Sequence, residues 1–260
     1  MAQPLLFTVA FRKKMAQLAQ RDRKEWLASV AQRWRDHPSA QLEQELGEVA
    51  RGCRLPLRDS IQRQLGPFDP VYLDALVEMP RERFVRPADL ERSAEDAPLP
   101  LDDTGLATIS APHAYLLSFR LLELTGGDRL VELGSGSGYG AALASFIVGL
   151  AGSVRSFEID EALFARARSN VADRPNVEVL LRDAMVSMEG WQGAAKVVAT
   201  FALDALPQSW VDALPEGGRL VAPVGAREGD QRLVLARREG GRVVETDHGA
   251  VRYVQNRSRR

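Results

Sequence analysis

The rhythm of apolar and polar positions changes twice along the chain. In Ala10–Arg35, Phe11, Met15 and Leu18 recur at helical spacing, followed by Trp26, Leu27, Val30 and Trp34. One apolar stripe on a polar segment predicts a helix packed along one side. His37-Pro38-Ser39 breaks the pattern, and Gln41–Arg51 reads as a shorter helix stopped by Gly52. Between about residue 53 and residue 125, short helical patterns at Leu55–Leu65 and Asp69–Glu78 mix with proline-rich loops. From Gly127 onward, β-type runs alternate with helical ones. Strands are expected at Arg129–Leu133, Ser153–Glu158, Val177–Leu181, Lys196–Thr200, Arg219–Val224, Arg232–Ala236 and Val251–Val254. Helices are expected at Tyr139–Leu150, Glu161–Ala172 and Pro207–Leu214. This alternation implies βαβ crossovers and a mostly parallel sheet covered on both faces. The expected organisation is a helical extension, residues 1–52, followed by an α/β domain, residues 53–260.

Composition narrows the chemistry. Of 260 residues, 45% are apolar and 27% charged, which excludes a wholly disordered or collagenous chain. A net charge of -1 gives no electrostatic reason to expect nucleic acid as a partner. The first 60 residues carry 11 basic side chains against 7 acidic ones. The reading preferred for the extension is an amphipathic helical pair packed on the main domain; a docking surface for a partner or precursor peptide is the functional alternative. A single cysteine, Cys53, excludes an internal disulfide. His37, His113 and His248 lie far apart, so no metal is expected. No apolar run approaches the roughly 18 residues that span a bilayer, and no signal peptide is read. The expectation is a cytoplasmic protein with no membrane partner.

The strongest local signal is Val131-Glu132-Leu133-Gly134-Ser135-Gly136-Ser137-Gly138, set between an expected strand and an expected helix. Glycines suit a tight turn where a ligand approaches the backbone closely. The second strand ends in Glu158-Ile159, where an acid can accept the ribose hydroxyls of a nucleoside. The third is followed by Asp183-Ala184, where an acid could meet an adenine amino group. Gly136, Gly138 and Ala141 satisfy a dinucleotide pattern loosely. Glu132, Gly134, Gly136 and Gly138 satisfy the S-adenosylmethionine pattern E/D-x-G-x-G-x-G in full, with an acid near the first strand available to the cofactor's amino group. The latter cofactor is favoured.

Further stretches resemble the protein-L-isoaspartate (D-aspartate) O-methyltransferase family. They are Met79-Pro80-Arg81-Glu82-Arg83-Phe84-Val85, Asp96 with Pro98-Leu99-Pro100, and Thr108-Ile109-Ser110-Ala111-Pro112-His113. Leu214–Gly225 and Gln231 follow, so the resemblance covers roughly residues 55–254. It implies a class I, Rossmann-like methyltransferase with a seven-stranded mostly parallel sheet. It implies S-adenosyl-L-methionine as cofactor, S-adenosyl-L-homocysteine as product, and a carboxylate of a protein or peptide as substrate. Ser110 would face that carboxylate, with Ala111, His113, Thr200 and Phe201 around it; Ser135 and Ser137 would join the glycines, Glu132, Glu158, Ile159, Asp183 and Ala184 at the cofactor. A helix N-cap is the structural role open to Ser110. The chain departs from the family at Ala94, at Leu106-Ala107 and at Phe201-Ala202-Leu203-Asp204 after the fourth strand. Three functions follow from the resemblance: isoaspartyl repair, carboxyl methylation of a dedicated, ribosomally made peptide, and a scaffold that binds S-adenosylmethionine without catalysis.

Overall fold

The computed structural model describes residues 20–226 and 229–258, so Phe11, Met15 and Leu18 of the first expected helix lie outside the described residues. The chain forms two compact units, which divide between Asp96 and Ala97.

The first unit holds α1 (Gln20–Asp36), α2 (Ala40–Leu65) and α3 (Pro70–Glu78). Leu27, Val30 and Ala31 form the buried stripe of α1, and Ser39 caps α2 by accepting the Leu42 N–H at 3.3 Å. The two helices expected on either side of Gly52 are one. Pro56 lies inside α2 and cannot donate to the carbonyl four residues back, which belongs to Gly52. Burial of Val49, Ala50, Cys53, Leu57 and Ile61 along one face outweighs that lost bond. The boundary expected after residue 52 therefore falls within a helix. Cys53 is buried and unoxidised, and burial pushes its thiol up to about 11.

The second unit begins with a two-stranded antiparallel ribbon, β1 (Leu99–Pro100) with β2 (Thr108–Ile109), followed by α4 (Pro112–Leu121). The main sheet contains β3 (Arg129–Leu133), β4 (Ser153–Glu158), β5 (Val177–Leu181), β6 (Lys196–Ala199), β7 (Arg219–Val224), β8 (Gln231–Glu239) and β9 (Arg242–Val251). Helices α5 (Tyr139–Val148), α6 (Glu161–Asn170) and α7 (Gln208–Asp212) connect them. The strand order is β5-β4-β3-β6-β7-β8-β9. The first five strands are parallel, and β8 and β9 are antiparallel. Strand order reverses between β3 and β6, so ligands are expected beyond the carboxyl ends of those strands.

Leu133, Phe157, Val197, Leu220 and Trp210 anchor the core on the sheet. Trp191 and Trp210 meet edge to face with ring centroids 5.1 Å apart, and both are buried in this core. Several expected bounds shift, with α6 ending at Asn170, α7 spanning Gln208–Asp212 and β8 spanning Gln231–Glu239. The α5 helix stops at Val148 because Gly149 takes a left-handed φ of 62°. The last strand is Arg242–Val251 and not Val251–Val254, because it pairs with the full length of β8 across a tight turn at Gly240-Gly241. Among the described residues, no helix is long and apolar enough to cross a membrane.

Candidate active site

A cleft opens over the carboxyl ends of β3, β4, β5 and β6. The chain turns sharply after β3 because Gly134, Gly136 and Gly138 adopt φ of 97°, 55° and 86°, all left-handed. The Gly134 and Ser135 N–H groups donate to the Phe157 carbonyl at 2.8 and 3.0 Å, fixing this loop to the end of β4. At Gly134 a Cβ would stand 2.3 Å from Thr200 Oγ1 and 3.0 Å from the Phe201 ring, so only glycine fits. Thr200 Oγ1 in turn donates to the Gly134 carbonyl at 2.6 Å.

Glu158 is 5% exposed and lines the cleft. Its Oε2 accepts the Gly136 N–H at 2.8 Å, and its Oε1 accepts those of Ile159 and Asp160 at 2.9 and 3.0 Å. Burial pushes this carboxyl above the ordinary range; the three N–H groups and the Arg257 charge pull it back. Asp183 also lines the cleft, its Oδ1 accepting the Met185 N–H at 2.9 Å. Glu158 and Asp183 thus stand as acceptors in one cleft, beyond the ends of neighbouring strands β4 and β5.

On the opposite wall, the β1–β2 ribbon delivers Thr108 and Ser110 to the same cleft. The Ser110 N–H donates to Tyr115 Oη at 3.2 Å, which ties this loop to α4. Ala111, not Ser110, is the N-cap of α4, and its side chain makes no cap bond. The capping role open to Ser110 is therefore not the one it plays.

Of the residues expected at the cofactor, Gly134, Ser135, Gly136, Ser137, Glu158, Ile159, Asp183 and Ala184 line the cleft, as do Ser110, Thr200 and Phe201 on the substrate side. Glu132, Gly138, Ala111 and His113 do not. Glu132 is 1% exposed and lies behind the glycine loop, with its Oε2 2.5 Å from Ser156 Oγ, which is itself 2.6 Å from Ser135 Oγ. It also accepts the Ala141 N–H at the start of α5, and burial pushes its carboxyl up to about 8. Its carboxyl does not line the cleft where the sequence pattern expected an acid for the cofactor amino group. Gly138 is the N-cap of α5 and faces the Ala167 backbone, 3.2 Å from where its Cβ would be. On α4, Tyr115 and not His113 reaches the cleft.

Sequence reasoning missed Tyr115, Arg182 and the segment Val254–Arg257 as lining residues. Only Arg182, beside Asp183, carried a signal, as a neighbour of a named acid. Of the bulky residues after β6, Phe201 alone enters the cleft; Leu203 turns into the core and Asp204 is exposed. Among the described residues, no group of three or more His, Cys, Asp or Glu could hold a metal ion.

The donor set fits an adenosyl sulfonium better than a dinucleotide. A pyrophosphate would need the first turn of α5, and the chain's own buried Glu132 already occupies the Ala141 N–H there.

The family model for protein-L-isoaspartate(D-aspartate) O-methyltransferase matches residues 62–260. Protein-L-isoaspartate O-methyltransferase 2 of Pelobacter propionicus is 41% identical over 178 residues, 67% of this chain and 76% of that protein. The protein-L-isoaspartate O-methyltransferase of Methanoculleus marisnigri is 38% identical over 208 residues, 78% of this chain and 91% of that protein. A solved protein-L-isoaspartate O-methyltransferase superposes with a TM-score of 0.70 at 26% identity, covering 79% of this chain and 66% of that one. A Plasmodium falciparum protein, solved in complex with S-adenosyl-L-homocysteine, shares the fold at a TM-score of 0.66 and 21% identity, covering 77% of this chain and 96% of that one.

Proposed function

The chain belongs to the protein-L-isoaspartate(D-aspartate) O-methyltransferase family, and from that premise we propose that it methylates an isoaspartyl or aspartyl carboxylate of a protein or peptide in the cleft at the switch point. The observation that carries this reading is the meeting of Ser110 with Glu158 and Asp183 in one cleft. Nucleoside acceptors and a hydroxyl donor for the substrate then face a common space.

S-adenosyl-L-methionine, when bound, supplies an electrophilic methyl group. Among the described residues Glu158 Oε2 takes the Gly136 N–H alone, and its remaining acceptor capacity would hold the ribose. Asp183 receives the adenine amino group. The left-handed glycine loop brings backbone rather than side chains against the nucleoside. A substrate carboxylate has a pKa near 4 and is already an anion at neutral pH, so no general base is required. The chain's task is alignment of the attacking oxygen. One neutral hydroxyl from Ser110 can orient that oxygen without removing much of its nucleophilicity, as a guanidinium pair would. Neither His113 nor His248 is needed.

The test offers labelled S-adenosylmethionine with an isoaspartyl peptide or its aspartyl twin. Turnover of the isoaspartyl peptide alone is the expected result. Ser110→Ala should lower kcat by about tenfold, the worth of one hydrogen bond to a charged group, with unchanged affinity for S-adenosylhomocysteine. A fall in affinity with kcat preserved would remove Ser110 from the substrate side.

A second reading has its own observation: residues 1–61 lie outside the family match. A dedicated peptide that docks on this extension and presents one carboxylate would account for it. Turnover of neither test peptide, with S-adenosylhomocysteine still bound, would favour this reading over repair.

A further inference from the structure

The last described residues follow an unusual course. After β9 the chain runs alongside the loop that follows β6, with the Ala202 N–H donating to the Val254 carbonyl at 2.8 Å and the Asn256 N–H to the Ala202 carbonyl at 3.0 Å. Gln231 holds both main-chain groups of Tyr253, donating from Nε2 to its carbonyl at 3.2 Å and accepting its N–H at 2.7 Å. Gln255 Nε2 donates to Asp204 Oδ1 at 3.3 Å. Val254, Gln255, Asn256 and Arg257 thereby become one wall of the cleft.

Beyond that wall, Asn256 Oδ1 accepts the Ser258 N–H at 2.9 Å, turning the chain so that Ser258 Oγ donates to Asp183 Oδ2 at 2.5 Å. Asp183 Oδ1 is already held by the Met185 N–H. Two donors on different oxygens fix the rotation of the carboxylate, and Oδ2 keeps a second lone pair. Arg257 stands beside these acids, its Nη1 3.6 Å from Asp160 Oδ2.

We propose that Ser258 is a positioning residue of the nucleoside subsite, fixing the Asp183 carboxylate in the orientation that reads the adenine amino group. The proposal rests on Asp183 reading the base, as argued above. A carboxylate free to rotate would be ordered only on binding, and its preference for a donor on the base would fall.

The experiment compares S-adenosylhomocysteine with S-inosylhomocysteine, in which a carbonyl oxygen replaces the amino group, by calorimetric titration of the full chain. The unaltered protein should prefer the adenosyl ligand by about tenfold or more. Ser258→Ala should narrow the preference by about fivefold, the worth of one hydrogen bond, through weaker adenosyl binding. Ser258→Thr, which keeps the hydroxyl, should restore it. Asp183→Asn should erase or invert the preference, since an amide can donate to the inosyl oxygen. An unchanged ratio in Ser258→Ala, or equal weakening of both ligands, overturns the proposal while leaving Asp183 in place. An unchanged ratio in Asp183→Asn removes the premise, and the proposal with it.

Discussion

Glu82 in the first unit and Glu132 in the second are both buried carboxylates, 7% and 1% exposed, yet they are kept by different partners. Glu82 Oε2 accepts Arg54 Nη1 at 2.5 Å, and Arg54 Nε donates to the Val77 carbonyl at 2.9 Å. A guanidinium faces the carboxyl there: burial pushes the Glu82 carboxyl up and the Arg54 guanidinium pulls it back, with burial the larger of the two. Glu132 has no such cation. Its partners are the Ser156 hydroxyl and the Ala141 N–H, and the nearby charge of Glu158 raises it further. The difference separates two uses of a buried acid. The first is an acid held against a buried guanidinium, part of the architecture of its unit. The second is mostly neutral at pH 7 and bonded to the loop that shapes the cleft, so its proton is coupled to the site.

The largest effect that sharpens this contrast is expected from Arg54→Met. It leaves Glu82 buried without its cation, a change that costs about 3–5 kcal/mol. Urea unfolding should show it, with a larger loss at pH 8 than at pH 5, because an uncompensated acid can take up a proton at the lower pH. An equal loss at both would mean that packing, not charge, makes the Arg54 contact important.

Gly140→Ala is the counterpart in the second unit. A Cβ there would stand 2.0 Å from Glu132 Oε1 and 2.8 Å from the Tyr115 ring. Displacing a buried, bonded carboxyl in a packed core costs about 1–3 kcal/mol. It should also weaken S-adenosylhomocysteine binding, because Glu132 reaches the loop through Ser156 and Ser135. Retention of both stability and affinity would show that Glu132 is free to move and does not support the loop.

The titration of Glu132 gives an effect that depends on pH. Its carboxyl lies at about 8 in the folded chain against an ordinary 4.5. Between these values the folded state holds the extra proton. The contribution of Glu132 to stability is therefore greatest below the ordinary value and falls as pH rises through the window, by up to about 1.4 kcal/mol per pH unit. Above about 8 the loss is complete. Glu132→Gln imitates the neutral acid, its oxygen accepting from Ala141 and its amide donating to Ser156. The variant should show a shallower slope than the parent and exceed it in stability at pH 8. A parent curve flat from pH 5 to pH 8 would place the carboxyl near its ordinary value.

These acids also show what the sequence made legible. The glycine loop, Glu158 and Asp183 could be found because strand ends and left-handed turns leave a regular signature, and β3, β4, β5 and β7 follow their expected bounds. The direction of Glu132 could not. Whether an acid beside a glycine turn points into the cleft or behind it depends on Ser156, 24 residues away on the neighbouring strand. The course of the chain after β9 was equally hidden, since Tyr253–Arg257 is guided by bonds to Ala202, Gln231 and Asp204, which are distant in sequence. In the first unit, Gly52 and Pro56 are real local breakers, and only the long-range packing of α2 overrides them.

The smallest effect is the most discriminating, because the same substitution is expected to have the opposite sign in the two units. Gly47 lies in α2, and a Cβ there would find Glu82 Oε1 at 3.7 Å, an ordinary van der Waals contact. Nothing need move, and its backbone is absent from the left-handed set. Alanine in a helix interior is favoured over glycine by about 0.5–1 kcal/mol, chiefly because the unfolded chain has less freedom to lose. Gly47→Ala should therefore raise stability slightly in urea while Gly140→Ala lowers it. A fall in stability for Gly47→Ala would mean that the space beside Glu82 is not free to accept a methyl group. The Arg54–Glu82 pair would then be as sensitive to packing as Glu132, and the contrast between a charge-held acid and a proton-held one would lose its structural basis.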